Sequence, residues 1–489
     1  LSGVLAAVGV LAAAACAAAA ILLPAGRPRA AAMLAALALA PALILGDQWH
    51  SPQIVDLRDT PMRLAGLGLA GLALAAALAA VFHRRPILLP LAIVAALPFR
   101  IPLHAGGDTA NLLVPLYVVI AGGVLATAFE DWFNRASSRE GARLLPLVLA
   151  AVVGLYALQT LYSPDFSKSL QNVCFFFVPF SLVYALLRDV DWSRKLLVLV
   201  LWVVALEAIA FVVVGSIEYL SRDLFWNSQV IRSNDFHTYF RVNSIFWDPN
   251  IYGRYLALVI VIATAALLWA KERRTLALLT GLVAILWLGL VPTFSQSSFV
   301  ALLTGLAVLA ALRWSWRWTL GAVGVVAVFG VLVVLFAGGI SKLSPDRLNV
   351  ETGGRAHLVS GGTELFAKRP LWGWGAGGFP AAYREHIATG KTPVSVSHTE
   401  PITVAAEQGL IGLAAYAALL VTALWTMSSN LFAAPARPRA RVPRAAVLAA
   451  FVALLVHTMA YAGFYEDPIA WVLLAAAASL AAAPVRRPA

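Results

Sequence analysis

The chain has 489 residues, of which 61% are hydrophobic and 12% charged, with a mean hydropathy of +0.83. Soluble domains carry roughly 45–50% apolar and about 25% charged residues, so a soluble fold is excluded and an all-α polytopic membrane protein is expected. The net charge of +12 does not indicate nucleic acid, because the basic residues sit in short clusters between apolar runs, the pattern of membrane topology. Cys16 and Cys174 both fall within apolar stretches and match neither a metal-ligand spacing nor a disulfide framework. No metal site and no cofactor is expected.

A helix needs about 20 mostly apolar residues to cross roughly 30 Å of hydrocarbon, and backbone in lipid must close its own hydrogen bonds. That rule predicts spans near 2–23, 30–46, 64–82, 86–99, 109–129, 143–162, 170–187, 195–216, 250–270, 275–292, 297–313, 318–338, 401–427, 444–464 and 468–485. Segments 30–46 and 86–99 are short enough to be re-entrant, which leaves about 12–15 transmembrane helices. The first apolar run has no basic leader before it and is followed by further spans, so it reads as a span and not as a cleaved signal.

Lys and Arg in short loops favour the cytoplasm. Alternate loops carry Arg27/Arg29, Arg84/Arg85, Arg135/Arg139/Arg143, Arg188/Arg194/Lys195, Lys271/Arg273/Arg274, Arg313/Arg317, Arg437/Arg439/Arg441/Arg444 and Arg486/Arg487. The intervening loops are poorer in basic residues for their length and include the two longest. The expected organisation is N-terminal helices over 1–216, an extracytoplasmic loop over 217–249, helices over 250–338, a long extracytoplasmic loop over 339–400 and C-terminal helices over 401–489, with the C-terminus cytoplasmic. No nucleotide-binding glycine loop or tandem repeat is present in the sequence.

The first long loop is rich in aromatics (Phe225, Trp226, Phe236, Tyr239, Phe240, Phe246, Trp247) suited to the headgroup level. Arg254 falls about one turn into a span, where a charge either faces a cavity or partner or snorkels to the headgroups. Asp248-Pro249-Asn250 reads as a helix cap. The positive end of that helix dipole, with Arg241 and Arg254 close in sequence, makes an anion site that a diphosphate could use. The polar break Pro292–Phe299 puts Gln296 among hydroxyls that either line a sugar-binding cavity or satisfy a helix end.

The second long loop holds Gly353-Gly354-Arg355, a Trp372-Gly373-Trp374-Gly375 run, Tyr383 and His398. Glycines beside Trp372 and Trp374 let backbone and flat rings approach a sugar, or else form a tight turn flanked by interfacial anchors. Imidazole with a reference pKa of about 6.5 is a good general base, particularly when a carboxylate orients it. Glu400 and Glu407 are the candidates to orient His398, and an unpaired carboxylate at the depth of Glu407 would be costly.

His398, Ile402, Glu407, Gly409 and Gly412 resemble the HNxxL…ExGxxG element of the O-antigen ligase and polymerase family. Arg355…Leu365-Phe366…Pro370-Leu371-Trp372-Gly373-Trp374-Gly375…Phe379…Tyr383 resembles that family's R…pLxGxGxxxF…Y run, and Arg241…Asp248-Pro249-Asn250 resembles its R…G.F..PN element. The resemblance implies a glycosyltransferase C-like membrane transferase of the cytoplasmic (inner) membrane, acting on its outer side. It further implies an undecaprenyl-diphosphate-linked glycan donor, a lipid or glycan acceptor, inversion at the anomeric carbon and no metal. By the same carry-over His398 acts on the acceptor hydroxyl, and Arg241 and a second arginine hold the diphosphate; read from the residues themselves, Glu407 is a candidate catalytic carboxylate, and Trp372, Trp374, Tyr383 and Gln296 are candidate contacts to acceptor or glycan. Thr399 stands where the family has Asn, and Gln296 where a Ser-Arg pair is common, which leaves Arg254 and Arg355 as alternatives for the second clamp. A lipid-linked oligosaccharide transporter is the rival reading: it would account for the many spans, Glu207 and Arg254, but not for polar text concentrated in two loops.

Overall fold

The computed structural model describes residues 3–51, 55, 59–105, 108–133, 143–225, 230–231, 234, 239–325, 355–388, 396–429, 431 and 438–482. Trp226, Phe236, Gly353, Gly354 and most of the expected span 318–338 lie outside them. The first helices are α1 (Gly3–Leu22), α2 (Arg27–Asp47), α3 (Pro61–Arg84), α4 (Leu88–Ala96), α5 (Val114–Phe133), α6 (Leu144–Thr160), α7 (Phe166–Leu187) and α8 (Arg194–Ser221). They continue with α9 (Pro249–Trp269), α10 (Arg273–Leu290), α11 (Gln296–Arg313), α12 (Arg355–Lys368), α13 (Phe379–His386), α14 (Glu400–Ser428), α15 (Pro438–Thr458) and α16 (Pro468–Ala481). Among the described residues 11 helices are long and apolar enough to cross a membrane, and α6 and α16 are shorter apolar helices. The chain is a multi-pass membrane protein with an all-helical transmembrane architecture.

Segment 30–46 forms a complete 21-residue helix, α2. Segment 86–99 instead contracts to the nine residues of α4. Pro98 cannot continue the helix's hydrogen bonding, and the chain turns into a short antiparallel hairpin that pairs Ile101–Ala105 with Asp108–Leu112. The next span therefore starts at Val114. Several starts carry a side-chain cap that takes a first-turn N–H: Asp165, Ser193, Asp248, Ser295 and Asp467. Between Val173 and Phe177, α7 widens into a π turn. There Phe177 stacks on Tyr156 at 4.0 Å and meets Tyr465 at 5.4 Å and Trp471 at 6.2 Å, the aromatic core beneath the loops described next. Cys174 is buried and Cys16 partly buried, both as free thiols.

At one end of the bundle, arginines of the alternating series take the free carbonyls left at helix C-termini. Arg188 donates to Ile21 and Leu23, Arg313 to Leu268, Arg441 to Leu312 and Arg444 to Leu480. Arg29 is buried between Asp131 at 2.7 Å and Asp189 at 2.5 Å. The opposite end gathers the starts of α9, α11, α12, α14 and α16.

Candidate functional site

Three buried carboxylates shape the loops at that second end. Glu218, on the last turn of α8, accepts from the N–H groups of Asn243 (3.1 Å) and Ser244 (2.7 Å). Glu400 accepts from Gly463 (2.6 Å) and Phe464 (3.1 Å). Glu407 accepts from Gly377 (2.9 Å) and Phe379 (3.1 Å), fixing the start of α13. Each carboxylate replaces water for two buried donors that would otherwise be orphaned.

The glycine-tryptophan run has a structural use. Helix α14 breaks at Gly409, whose φ is 66°. Segment 370–375 lies across the break: Trp374 and Gly375 N–H donate to the freed carbonyls of Ala406 (3.0 Å) and Glu407 (2.8 Å), and Leu410 N–H donates to Pro370 O at 2.7 Å. A Cβ on Gly373 would come within 2.4 Å of the Glu407 backbone, and one on Gly409 within 2.3 Å of Leu371 O. Both positions therefore need glycine, for backbone approach and for positive φ. Gln159 closes the last gap by donating to Gln408 O at 3.1 Å.

The polar face is built from the five helix starts and the 459–467 turn. Asp248 caps α9 through Asn250 N–H at 2.6 Å. The Asn250 Oδ1 accepts from Arg241 Nη2 (3.2 Å) and Ser295 Oγ (2.8 Å), and Arg241 Nε donates to Thr293 O at 2.9 Å. Ser297 Oγ meets buried His457 Nε2 at 3.2 Å. The Tyr461 ring lies 5.9 Å from His457 and 6.3 Å, edge-on, from His398. Arg355 reaches the same turn by donating to Ala460 O at 3.4 Å. Arg254 and Asp467, both buried, form an ion pair at 2.9 Å whose approach falls outside hydrogen-bond geometry.

His398 is one of four non-glycine residues at positive φ among the described residues, at 62°. For an L side chain this conformation is uncommon and is held only by its surroundings. Burial lowers its pKa below the ordinary imidazole value, Arg355 lowers it further, and Asp248 partly opposes them. Burial also lowers the pKa of Arg241; Asp248 and Tyr239 oppose the shift, and Arg355 adds to it. The Tyr461 hydroxyl faces the Asp248 carboxylate, and burial and Asp248 raise its pKa while Arg254 and Arg100 act the other way.

The structure thus brings Arg241, Arg355 and His398 into one electrostatic neighbourhood, with Arg254 nearby but paired. Glu407, expected to orient His398, spends its oxygens on Gly377 and Phe379, and Glu400 on the 463–464 turn; the carboxylate that acts on His398 is Asp248. Trp374 and Tyr383 are buried, with Trp374 Nε1 donating to Leu365 O at 2.9 Å beneath the Arg369 guanidinium and Tyr383 OH donating to His357 O at 3.3 Å. Both belong to the small core of α12 and α13. Trp372 is 58% exposed and opens onto a groove of about 620 Å³ lined by Tyr162, Arg369 and Leu371 but not by His398. Gln296 is an exposed first residue of α11. Glu207 accepts from Tyr255 OH at 2.9 Å. Tyr461, His457, Asp467 and Arg100 were missed from the sequence. The second Asp-Pro helix start, Asp467-Pro468, repeats the Asp248-Pro249 signature and was the available signal. Among the described residues no cluster of His, Cys, Asp and Glu fits a metal ion.

Residues 281–417 match the family model described as O-antigen ligase, which bears out the resemblance. The match runs from within α10 to beyond the break in α14, including Arg355, His398 and Glu407, and leaves Arg241 and the 459–467 turn outside it. No curated protein matches the chain.

Proposed function

Starting from a polytopic membrane protein that carries an O-antigen ligase-type domain, we propose that the chain transfers a glycan from an undecaprenyl-diphosphate-linked donor to an acceptor hydroxyl, on the outer side of the cytoplasmic membrane. The reading is carried by one juxtaposition. His398, whose surroundings favour neutral imidazole, feels the charge of Arg355, which in turn acts on Arg241, and neither arginine has an ion-pair partner among the described residues. In the proposed step the acceptor oxygen attacks the anomeric carbon from the face opposite the leaving group. The carbon–oxygen bond to the sugar-side phosphate breaks, the lipid diphosphate departs with the bond's electron pair, and the acceptor proton passes to His398.

A lipid diphosphate is already a good leaving group, so the protein's task is a base near the hydroxyl and positive charge where negative charge develops. Arginine's planar fork suits the phosphate oxygens. Arg254, held by Asp467, contributes to the field of the site through that pair. Trp372 and Gln296, both exposed, are the proposed contacts to glycan or acceptor, with Trp374 and Tyr383 supporting the loop that carries Trp372.

Replacing His398 by Ala in protein reconstituted with a defined lipid-diphosphate donor should slow transfer by about 10²–10⁴-fold while the protein still folds. Near-normal transfer by that variant would sink the base assignment. The same donor machinery suits a polysaccharide-repeat polymerase, in which the acceptor is another lipid-linked repeat. Growth in chain length, as opposed to a single capped conjugate, identifies that outcome. Donor consumption in detergent, without a second compartment, rules out pure transport.

A further inference from the structure

A general base is usually aimed by a third group hydrogen-bonded to it. Among the described residues the His398 imidazole makes no hydrogen bond and no ion pair, and its one ring contact is the edge of Tyr461 at 6.3 Å. The backbone on either side is fixed locally: Ser397 Oγ accepts from Thr399 N–H at 3.2 Å and meets Thr403 Oγ1 at 2.8 Å. The direction of the side chain is therefore left to Tyr461. The two ring planes stand at 60°, within the edge-to-face range that aromatic rings favour.

Tyr461 is itself held from several elements. Its N–H donates to His457 O, at the end of α15, at 3.1 Å. Glu400, two residues after His398, accepts from Gly463 N–H at 2.6 Å and Phe464 N–H at 3.1 Å, so the start of α14 fixes the turn that carries the tyrosine. Arg355 of α12 reaches the neighbouring Ala460 O at 3.4 Å. The ring stands between His457 at 5.9 Å and His398 at 6.3 Å. It is only partly buried and belongs to neither apolar core, so core packing does not account for its place.

We propose that Tyr461 is the positioning residue of the transfer: its ring edge directs the His398 imidazole toward the acceptor hydroxyl and keeps water from that side of it. The proposal rests on the reading of His398 as the base. It gives the 459–467 turn, which lies outside the family match, a part in the reaction. A misplacement of about 1 Å in such a group can cost roughly 10²-fold in rate. The charged groups that face the two rings are Asp248 and Arg254 of α9, Arg355 of α12 and Arg100.

The test compares wild type, Tyr461→Leu, which removes the ring, and Tyr461→Phe, which keeps it, in purified full-length protein. One readout is transfer from a defined lipid-diphosphate donor. The other is the rate at which diethyl pyrocarbonate modifies His398 as pH is varied, located by mass spectrometry; it follows the neutral imidazole and needs no donor. Tyr461→Leu should slow transfer roughly 10²-fold at an unchanged donor KM. Because burial is the largest cause that lowers the His398 pKa, wetting the ring should also move its modification profile to higher pH. Tyr461→Phe should keep the profile and most of the transfer. A profile or a transfer rate that Tyr461→Leu leaves in place overturns the role of Tyr461 while the base reading stands. Near-normal transfer by His398→Ala overturns the base reading, and the role of Tyr461 with it. If Tyr461→Leu does not fold, Tyr461→Gln decides the matter, since its amide can still meet Asp248 without a ring: a shifted profile with slowed transfer supports the assignment, and an unaltered pair overturns it.

Discussion

His398 shows how much a single position owes to its neighbours. Histidine at the head of an apolar helix is readable from sequence as a general base, but its left-handed backbone, its tyrosine contact and its place between Arg355 and Asp248 are not. If His398 is the base of the proposed transfer, the neutral ring is the active form, so activity should fall as pH drops through the His398 pKa, a limb that burial and Arg355 place below the ordinary imidazole range. Arg355→Gln removes a repulsion of the protonated form, so the limb should move to higher pH. Asp248→Asn removes an attraction, so it should move to lower pH. Transfer rates against pH at saturating donor check both signs. Glu407 makes the opposite point: its carboxylate is legible as costly in a span, yet its partners are two backbone N–H groups some 30 residues upstream. In Glu407→Gln one carboxamide oxygen replaces two carboxylate oxygens, and stability should fall by about 1–3 kcal/mol. The thermal midpoint should drop while transfer per folded molecule persists; lost transfer at an unchanged midpoint would restore a chemical role for Glu407.

Among the elements, α14 differs most from its expectation. An apolar segment at 401–427 predicts one continuous span, and the observed helix covers it but breaks at Gly409. The break is invisible to hydropathy because both halves are apolar, and it is stable because segment 370–375 supplies the missing backbone partners. Gly409→Ala puts a Cβ against the Leu371 carbonyl and forces positive φ on an L side chain. Such strain costs about 1–3 kcal/mol, so a lower unfolding midpoint and earlier proteolysis within 370–375 are expected. An unchanged midpoint would mean that the break does not depend on glycine. In the same way the run read as a sugar platform is mostly a backbone clasp, with Trp374 and Tyr383 in its core and Trp372 left outside.

In the whole molecule, two ends with different chemistry terminate the same bundle. At one, arginines close helix C-termini and Arg29 joins Asp131 and Asp189; at the other, carboxylates and Asp-Pro starts arrange the loops around Arg241 and Arg355, which are hydrogen-bonded but have no ion-pair partner among the described residues. Arg29→Ala leaves Asp131 buried and unpaired, which should cost about 3–5 kcal/mol. Arg29→Met with Asp131→Leu should recover much of that loss, as judged by detergent-dependent unfolding. A double variant no better than the single would mean the pair is not what holds that end together.

From the sequence alone came the membrane class, the positions of nearly all described spans, the Asp248 cap, the arginine alternation and the resemblance that the family match bears out. These are legible because composition, period and turn chemistry act over neighbouring residues. What only the tertiary structure decided was partnership: Asp467 for Arg254, Gly377 and Phe379 for Glu407, and Tyr461 for His398. A buried charge or a freed backbone group must find its complement wherever the fold brings one, and residues far apart in sequence meet only once the helices have packed.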